Sequence, residues 1–283
     1  MKTAKILKRG ALIALIALFA WHGLLQAAVV AMVLDVKGEA SITYSGRTSA
    51  AQIATSLQED TKVEVGAGGQ VALVHYATRE QLTLAGPAVV MVTSKGIDPV
   101  SGAQGQSRKL ADGEARVATN YRGRVAPGAL TMRGLKPALE LRYPSDGETL
   151  LDPARAITWE AADPKAKVQV KLFAGDKQVA EQTVTGSSLA PARLAALTPG
   201  AAYRVTLSAG EDKPVEAKFT LARAEQRDAL AALKPKDRSS VEAWVLYAMA
   251  LEADAVVSEA KEAWRVVAQL RPEAAGLVRR MAR

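Results

Sequence analysis

The chain has 283 residues, with 37 Lys and Arg against 29 Asp and Glu, two His and no Cys. That length calls for two or three compact units with cores of their own, and 49% apolar with 23% charged residues excludes a chain disordered throughout. Without Cys there are no disulfides, thiolate metal sites, iron–sulfur clusters or Cys nucleophiles, and the formal charge of +8 has to be located before it can be interpreted.

The excess begins at the N-terminus. Met1–Arg9 carries Lys2, Lys5, Lys8 and Arg9 with no acid, and the apolar run Ala11–Ala20 follows, then Trp21. A basic start before an apolar stretch is the pattern of an export signal. Leu25-Gln26-Ala27 and Val29-Val30-Ala31 are both imperfect cleavage sites, while Gly10–Leu34 is long enough to span a bilayer if His22 and Gln26 are tolerated. Residues 1–28 therefore read as a signal peptide or, if uncut, a membrane anchor, with cleavage preferred. Both readings put the bulk of the chain beyond a membrane, and the bacterial character of the segment makes the periplasm the expected compartment. Setting these four cations aside leaves 33 basic against 29 acidic residues.

Residues 29–92 read as an all-β unit. Val30–Asp35, Ala40–Tyr44, Val63–Val65, Val71–Ala77, Gln81–Leu84 and Ala88–Val92 are short runs rich in Val, Leu and Thr between Gly and Pro turns. Leu82 and Leu84 alternate with Gln81 and Thr83, which puts one side of that strand in a core. The cluster Gly66-Ala67-Gly68-Gly69 is followed by a strand pattern. A dinucleotide loop would have to open a helix, so the cluster reads as a turn.

Three stretches here carry a family resemblance: Gly38 with Leu57-Gln58-Glu59-Asp60, then Val63-Glu64-Val65-Gly66-Ala67-Gly68-Gly69-Gln70-Val71-Ala72-Leu73, then Gln81-Leu82-Thr83-Leu84-Ala85-Gly86-Pro87-Ala88-Val89-Val90. Together they resemble a FecR-type periplasmic domain, in which a strand enters a Gly-rich turn, a second strand follows, and a polar turn leads to a strand ending near Gly-Pro. The likeness covers about a quarter of the chain. FecR-type regulators of sigma factors carry a cytoplasmic segment before their span, and only nine residues precede the stretch Gly10–Leu34 here. The resemblance thus implies a stand-alone periplasmic module and not cytoplasmic anti-sigma activity.

Residues 93–137 read as a basic connector. Ser101-Gly102-Ala103-Gln104-Gly105-Gln106-Ser107 is poor in apolar residues and suits a mobile loop. Arg108, Lys109, Arg116, Arg122, Arg124, Arg133 and Lys136 follow in a weakly strand-like stretch. Thr93–Arg142 holds nine basic and four acidic residues, so most of the remaining positive charge sits there. Arg108, Lys109, Arg116, Arg122, Arg124 and Arg133 are the candidate anion- or partner-binding residues, with solvated charge on a connector as the plainer account. Tyr121 is the lone ring among them, whereas single-stranded nucleic-acid sites need several, and export argues against nucleic acid too.

Residues 138–221 alternate apolar and polar at period two in five runs, through Leu139 and Leu141, Ile157 and Trp159, Val168 to Leu172, Tyr203 to Leu207, and Val215 to Phe219. Separated by Gly-containing turns, these runs predict an antiparallel sandwich. Leu197-Thr198-Pro199-Gly200-Ala201-Ala202-Tyr203-Arg204-Val205, with Trp159 upstream, resembles the turn and strand of fibronectin type III domains. The resemblance implies a core Trp159 and a tyrosine corner at Tyr203.

From 222 to 283 the period becomes helical. A helix over Ala222–Leu233 stops at Lys234-Pro235, Ser239 or Ser240 caps a second over Val241–Ala253, and a third covers Val256–Leu270. Trp244, Ala248, Leu251, Ala260, Trp264 and Pro272 resemble the spacing of one tetratricopeptide repeat. One repeat cannot cover its own apolar face, so it either pads the sandwich or pairs with another subunit, and Glu273–Met281 can supply a closing helix.

The fold class expected is thus mainly β with an α-helical C-terminus: two β units and a helical hairpin. No catalytic constellation emerges. His75 sits on a strand, no Ser occupies a strand–turn–helix elbow, and Glu59-Asp60 are adjacent turn residues. No catalytic, cofactor or metal residue is assigned. The expectation is a non-enzymatic periplasmic binding, scaffold or accessory-sensor protein. Its partner would be an envelope protein or a cell-wall polymer, with membrane contact only through an uncut N-terminal segment. A peptidoglycan or polysaccharide binder and a carboxylate-based envelope hydrolase are the alternatives.

Overall fold

The computed structural model describes residues 28–121, 138–190, 196–210 and 213–274. Residues 1–27 of the expected export segment lie outside them, as do Arg122, Arg124 and Arg133 of the expected anion site, Lys136, and most of the expected closing helix after Pro272.

Ten strands build the first β unit: β1 (Val29–Lys37), β2 (Ala40–Tyr44), β3 (Arg47–Ala50), β4 (Ser56–Gln58), β5 (Thr61–Val65), β6 (Gln70–His75), β7 (Glu80–Ala85), β8 (Ala88–Val92), β9 (Ile97–Gly102) and β10 (Gln106–Lys109). They form two five-stranded antiparallel sheets, in the orders β10-β7-β6-β1-β4 and β3-β2-β5-β8-β9. Val33, Leu57, Val63, Leu73, Leu84 and Val90 fill the space between them.

The glycine cluster is the point where these sheets exchange strands. Gly66–Gly69 joins β5 of one sheet to β6 of the other. Gly66 N–H donates to Glu39 O, Gly69 N–H to Gly66 O and Gly86 N–H to Gly69 O, all at 2.9–3.0 Å. Three backbones meet so closely that a Cβ on Gly86 would lie 1.9 Å from Gly66 O, and one on Gly69 would lie 2.6 Å from Glu39 O. The cluster is a turn as expected; close backbone approach keeps positions 69 and 86 bare, while a φ of +74° favours glycine at 68.

The expected connector is more ordered than its composition suggests. The loop-like stretch 101–107 runs from the end of β9 into β10, and each strand extends one sheet. Arg116 and Val117, expected in a weak strand, lie instead on helix α1 (Asp112–Asn120). Its start is fixed by Glu114, whose carboxylate accepts from Ala111 N–H at 2.9 Å and from the Arg108 guanidinium at 2.9 and 3.1 Å. Ala115, Val117, Ala118 and Tyr121 are buried, so the pattern there is helical, and its short length hid the period.

The second β unit is a sandwich of strands β11 (Leu139–Tyr143), β12 (Glu148–Leu150), β13 (Ile157–Ala161), β14 (Lys167–Ala174), β15 (Lys177–Thr185), β16 (Ser188–Leu189), β17 (Ala202–Ser208) and β18 (Val215–Leu221). The orders are β11-β13-β16 and β12-β18-β17-β14-β15. One pairing departs from the antiparallel expectation, because β12 runs parallel to β18. Trp159 is buried in the core with Val170, Leu172, Val205 and Phe219. Thr198 N–H donates to Tyr203 Oη at 2.7 Å, the corner its sequence suggested.

Helices α2 (Ala224–Leu233), α3 (Val241–Ala253) and α4 (Val257–Leu270) complete the described chain, with a short 3-10 turn over Pro272–Ala274. Ser240 caps α3, accepting from Ala243 N–H at 3.3 Å. From Trp244 to Leu251 every residue of α3 is buried, as expected of a helix covered on all sides. What covers it was not anticipated. Met32, Leu34, Ala72 and Val74, on the outer face of the β1 sheet, form one core with α1, α3 and α4. Glu252 ties the parts together by accepting from Tyr121 Oη–H and Trp264 Nε1–H at 2.9 and 2.8 Å. The helical end therefore covers the first β unit, and residues 138–221 are inserted between α1 and the helices that pack with it.

Candidate functional site

Where the inserted sandwich meets the helices, polar side chains gather on two sides of one junction. The first side is a set of struts. Glu148 on β12 has no exposed surface, and the reason is its hydrogen bonding: Ser145 N–H of its own turn and Ser258 N–H in the first turn of α4 each donate to it at 2.7 Å. A carboxylate at a helix start suits the dipole and supplies an acceptor the helix lacks. Beside it Thr149 N–H donates to Ala255 O at 2.9 Å. Ala255 itself has φ +57°, a left-handed conformation costing ~1–2 kcal/mol outside glycine.

Arg155 completes this side. Its guanidinium lies 4.2 Å over the Tyr143 ring and reaches Glu259 at 2.8 Å and Glu262 at 3.4 Å on α4. Burial pushes the Glu259 carboxyl above its usual value despite this arginine, and burial likewise raises the Tyr143 phenol. A similar strut closes the far end of α4. Arg271 grips Asp35 of β1 through two bonds, at 2.8 and 2.6 Å. Burial still raises the Asp35 carboxyl, outweighing the arginine.

The second side of the junction is a cleft of about 630 Å³ lined by Gly200, Thr220, Leu221, Arg223, Glu225, Gln226 and Asp254. Gly200 closes the turn before β17 with φ +80°, and Arg223 precedes α2 in an extended conformation. Asp254 ends α3. The cleft exists because β18, the start of α2 and the end of α3 converge there. The contrast with the struts lies in commitment. The side chains of Arg223, Glu225, Gln226 and Asp254 make no hydrogen bond or ion pair among the described residues.

The residues singled out from sequence are dispersed. Arg108 and Lys109 lie on β10 and Arg116 on α1, all exposed. Arg108 is ion-paired with Glu114, whose carboxyl that pair and the Ala111 N–H hold below its usual value against the opposing effect of burial. Part of the expected anion site is thus neutralised by a neighbour six residues on, while Arg122, Arg124 and Arg133 lie outside the described residues. His75 is buried. It donates from Nε2 to Thr93 O at 2.9 Å and accepts at Nδ1 from Thr78 N–H at 3.3 Å, so both ring nitrogens serve the adjoining turns. It lines a smaller space of about 180 Å³ with Thr78, Glu80, Leu82, Ile97 and Ser107. Glu59 and Asp60 form the β4–β5 turn, where Glu59 accepts from Ser94 N–H at 3.3 Å. Sequence reasoning did not single out any residue of the cleft for function. Leu197–Val205 marks only the turn at Gly200, and nothing local links it to Asp254.

No known family profile and no curated protein matches the sequence. Among solved structures, the fibronectin(III)-like modules of Clostridium thermocellum CbhA align at 11% identity over 30% of this chain and 94% of theirs, with a TM-score of 0.21. Tp47, the 47-kilodalton lipoprotein of Treponema pallidum, aligns at 15% identity over 70% of this chain and 52% of its own, also with a TM-score of 0.21. The chain spans about half the length of that lipoprotein. Likeness this distant carries no functional argument, and the β-sandwich stands on the sheets described above.

Proposed function

We propose that this chain is a non-enzymatic protein of the bacterial cell envelope, exported across the inner membrane, that works as a binding or scaffold module. The observation that carries the reading is the division of labour at the junction. Buried carboxylates and arginines are used up in joints, Glu148 and Arg155 tying the sandwich to α4 and Arg271 tying α4 to β1, while the cleft beside them keeps its polar heads free. The FecR-type resemblance of residues 30–92, the fibronectin-like sandwich and the single tetratricopeptide-like pair support the same reading. Each is a type of module that positions or binds other molecules.

A hydrolase built on carboxylates would need one acid held protonated near a second. The acids raised by burial, Asp35 and Glu259, are both gripped by arginines inside packing joints, which favours the scaffold. A cell-wall polymer bound through Lys109, Arg116 and the basic residues beyond α1 is the second reading, favoured by the exposure of those two side chains. Crosslinking in living cells followed by mass spectrometry tests the first. Recovery of a discrete envelope protein is the expected outcome, and no partner above background would overturn it. Binding to isolated sacculi that disappears on charge reversal of Lys109 and Arg116 would favour the polymer instead.

A further inference from the structure

We propose that the cleft between Gly200 and Asp254 binds a short peptide or amino acid bearing both a free ammonium and a free carboxylate, an inference that rests on the binding-module reading above. Its volume, about 630 Å³, lies in the range of small-molecule sites, ~300–1,000 Å³. One guanidinium, two carboxylates and a carboxamide border it without protein partners among the described residues. Arg223 and Glu225 are exposed and Asp254 half-buried, so all three are open to a ligand from solvent. On the opposite side of the same junction Arg155 takes Glu259 and Glu262 together. Arg223 and its two acids are held apart by the fold, and a ligand can bridge what they do not.

The way Arg223 is seated strengthens the case. Its stem lies across Gly200, where an added Cβ would stand 3.0 Å from Arg223 Nε and 3.2 Å from its Cγ. Position 200 therefore has to be bare both for its φ of +80° and for the arginine to lie down along the cleft wall. The guanidinium at the end of that stem borders the cleft, and it is the group that can grip a carboxylate through two hydrogen bonds. Glu225 and Asp254 supply acceptors for an ammonium, which has three donors and no acceptor.

Other ligand classes fit less well. Phosphate or a dicarboxylate would meet Arg223 but be repelled by Glu225 and Asp254. A polyamine would satisfy the acids and be repelled by Arg223. A neutral saccharide would leave all three charges unmatched, and the lining has no ring for it to stack on. The zwitterion alone answers both signs at once.

The test uses trialanine carrying a photoactivatable diazirine, irradiated with the purified full chain and mapped by mass spectrometry. Labels are expected on peptides containing Gly200, residues 220–226 and Asp254. Unlabelled trialanine should displace them, and its N-acetylated or C-amidated forms should compete at least tenfold less well. Arg223→Ala, at an exposed position, should leave the melting temperature unchanged and make trialanine and its amide equal competitors. Asp254→Asn should do the same for the free and acetylated amino ends. Labelling elsewhere, or competition indifferent to capping of both ends, overturns the proposal. Either result leaves the crosslinking test of the scaffold reading independent, because a protein partner could be found or missed whatever the cleft holds.

Discussion

The two β units cover their sheets differently, and strands β1 and β17 show it. In β1, Ala31 and Val33 face the other sheet of the first unit while Met32 and Leu34 face the helices, so Val30 to Val36 is buried without a break. In β17 burial alternates, with Tyr203, Val205 and Leu207 in the core and Arg204, Thr206 and Ser208 half-exposed. A strand enclosed on both faces reads as a continuous apolar run, and one enclosed on a single face alternates. The run Val29-Val30-Ala31-Met32-Val33-Leu34 thus records a second layer over the first unit. That layer is the helical one, so the first unit and the helices should stand or fall together while the sandwich melts on its own terms.

The largest effect expected is at the glycine nexus. Gly86→Ala drives a methyl into Gly66 O, backbone against backbone, and should cost about 4 kcal/mol or more. Failure to accumulate a folded protein is the readout, and a near-native melt would refute the close approach. Next, Leu34→Ala and Leu207→Ala each empty a fully buried position at about 3 kcal/mol. Calorimetry with circular dichroism should show the first lowering a transition that carries the helical signal and the second lowering one that does not. A shared shift would erase the distinction between the units.

Glu148→Ala attacks their joint. Two backbone N–H groups lose their acceptor, at about 2 kcal/mol, and hydrogen exchange at Ser258 should rise while the first unit's strands stay protected. Ser240→Ala removes only the cap of α3 and should cost about 1 kcal/mol, seen as a small fall in melting temperature of the helical transition alone.

Acidity provides the finest test. Burial raises the folded-state values of Asp35 and Glu259 above 3.8 and 4.5. Their contribution to stability is therefore fully present below those values and is lost as pH rises through the raised ones. Glu114, held low mainly by Arg108 and Ala111 N–H against burial, does the reverse: its contribution is present above 4.5 and lost as pH falls. Replacing Asp35 with Asn should flatten the decline in melting temperature as pH rises from 3.8, and an unchanged slope would show that the Asp35 carboxyl is not destabilised by burial.

Several local features were legible. The strands from Val30 to Val92, the five alternating runs of the sandwich, the Tyr203 corner and the capped helix from Val241 each carry their signal within a few residues. Strand β15 was not legible, because at the sheet edge it is mostly exposed on both faces and shows no apolar period. Helix α1 was missed because nine residues hold barely two and a half turns, and the basic residues on either side of it suggested a solvated connector. The cleft was invisible for a different reason. Arg223, Glu225 and Asp254 are ordinary surface residues in sequence, and only the convergence of three elements makes them neighbours.

Periodicity and turn chemistry by themselves determined that this protein is mainly β with a helical end, since each depends on how one short segment meets a boundary between oil and water. The tertiary structure alone decided that residues 138–221 are an insertion and that the helices belong to the first β unit. Those facts rest on pairs such as Glu148 with Ser258, 110 residues apart, and Asp35 with Arg271, 236 apart. Contacts at such separations are chosen by the closing of long loops and the burial of whole faces together, and no local pattern records which distant face will win.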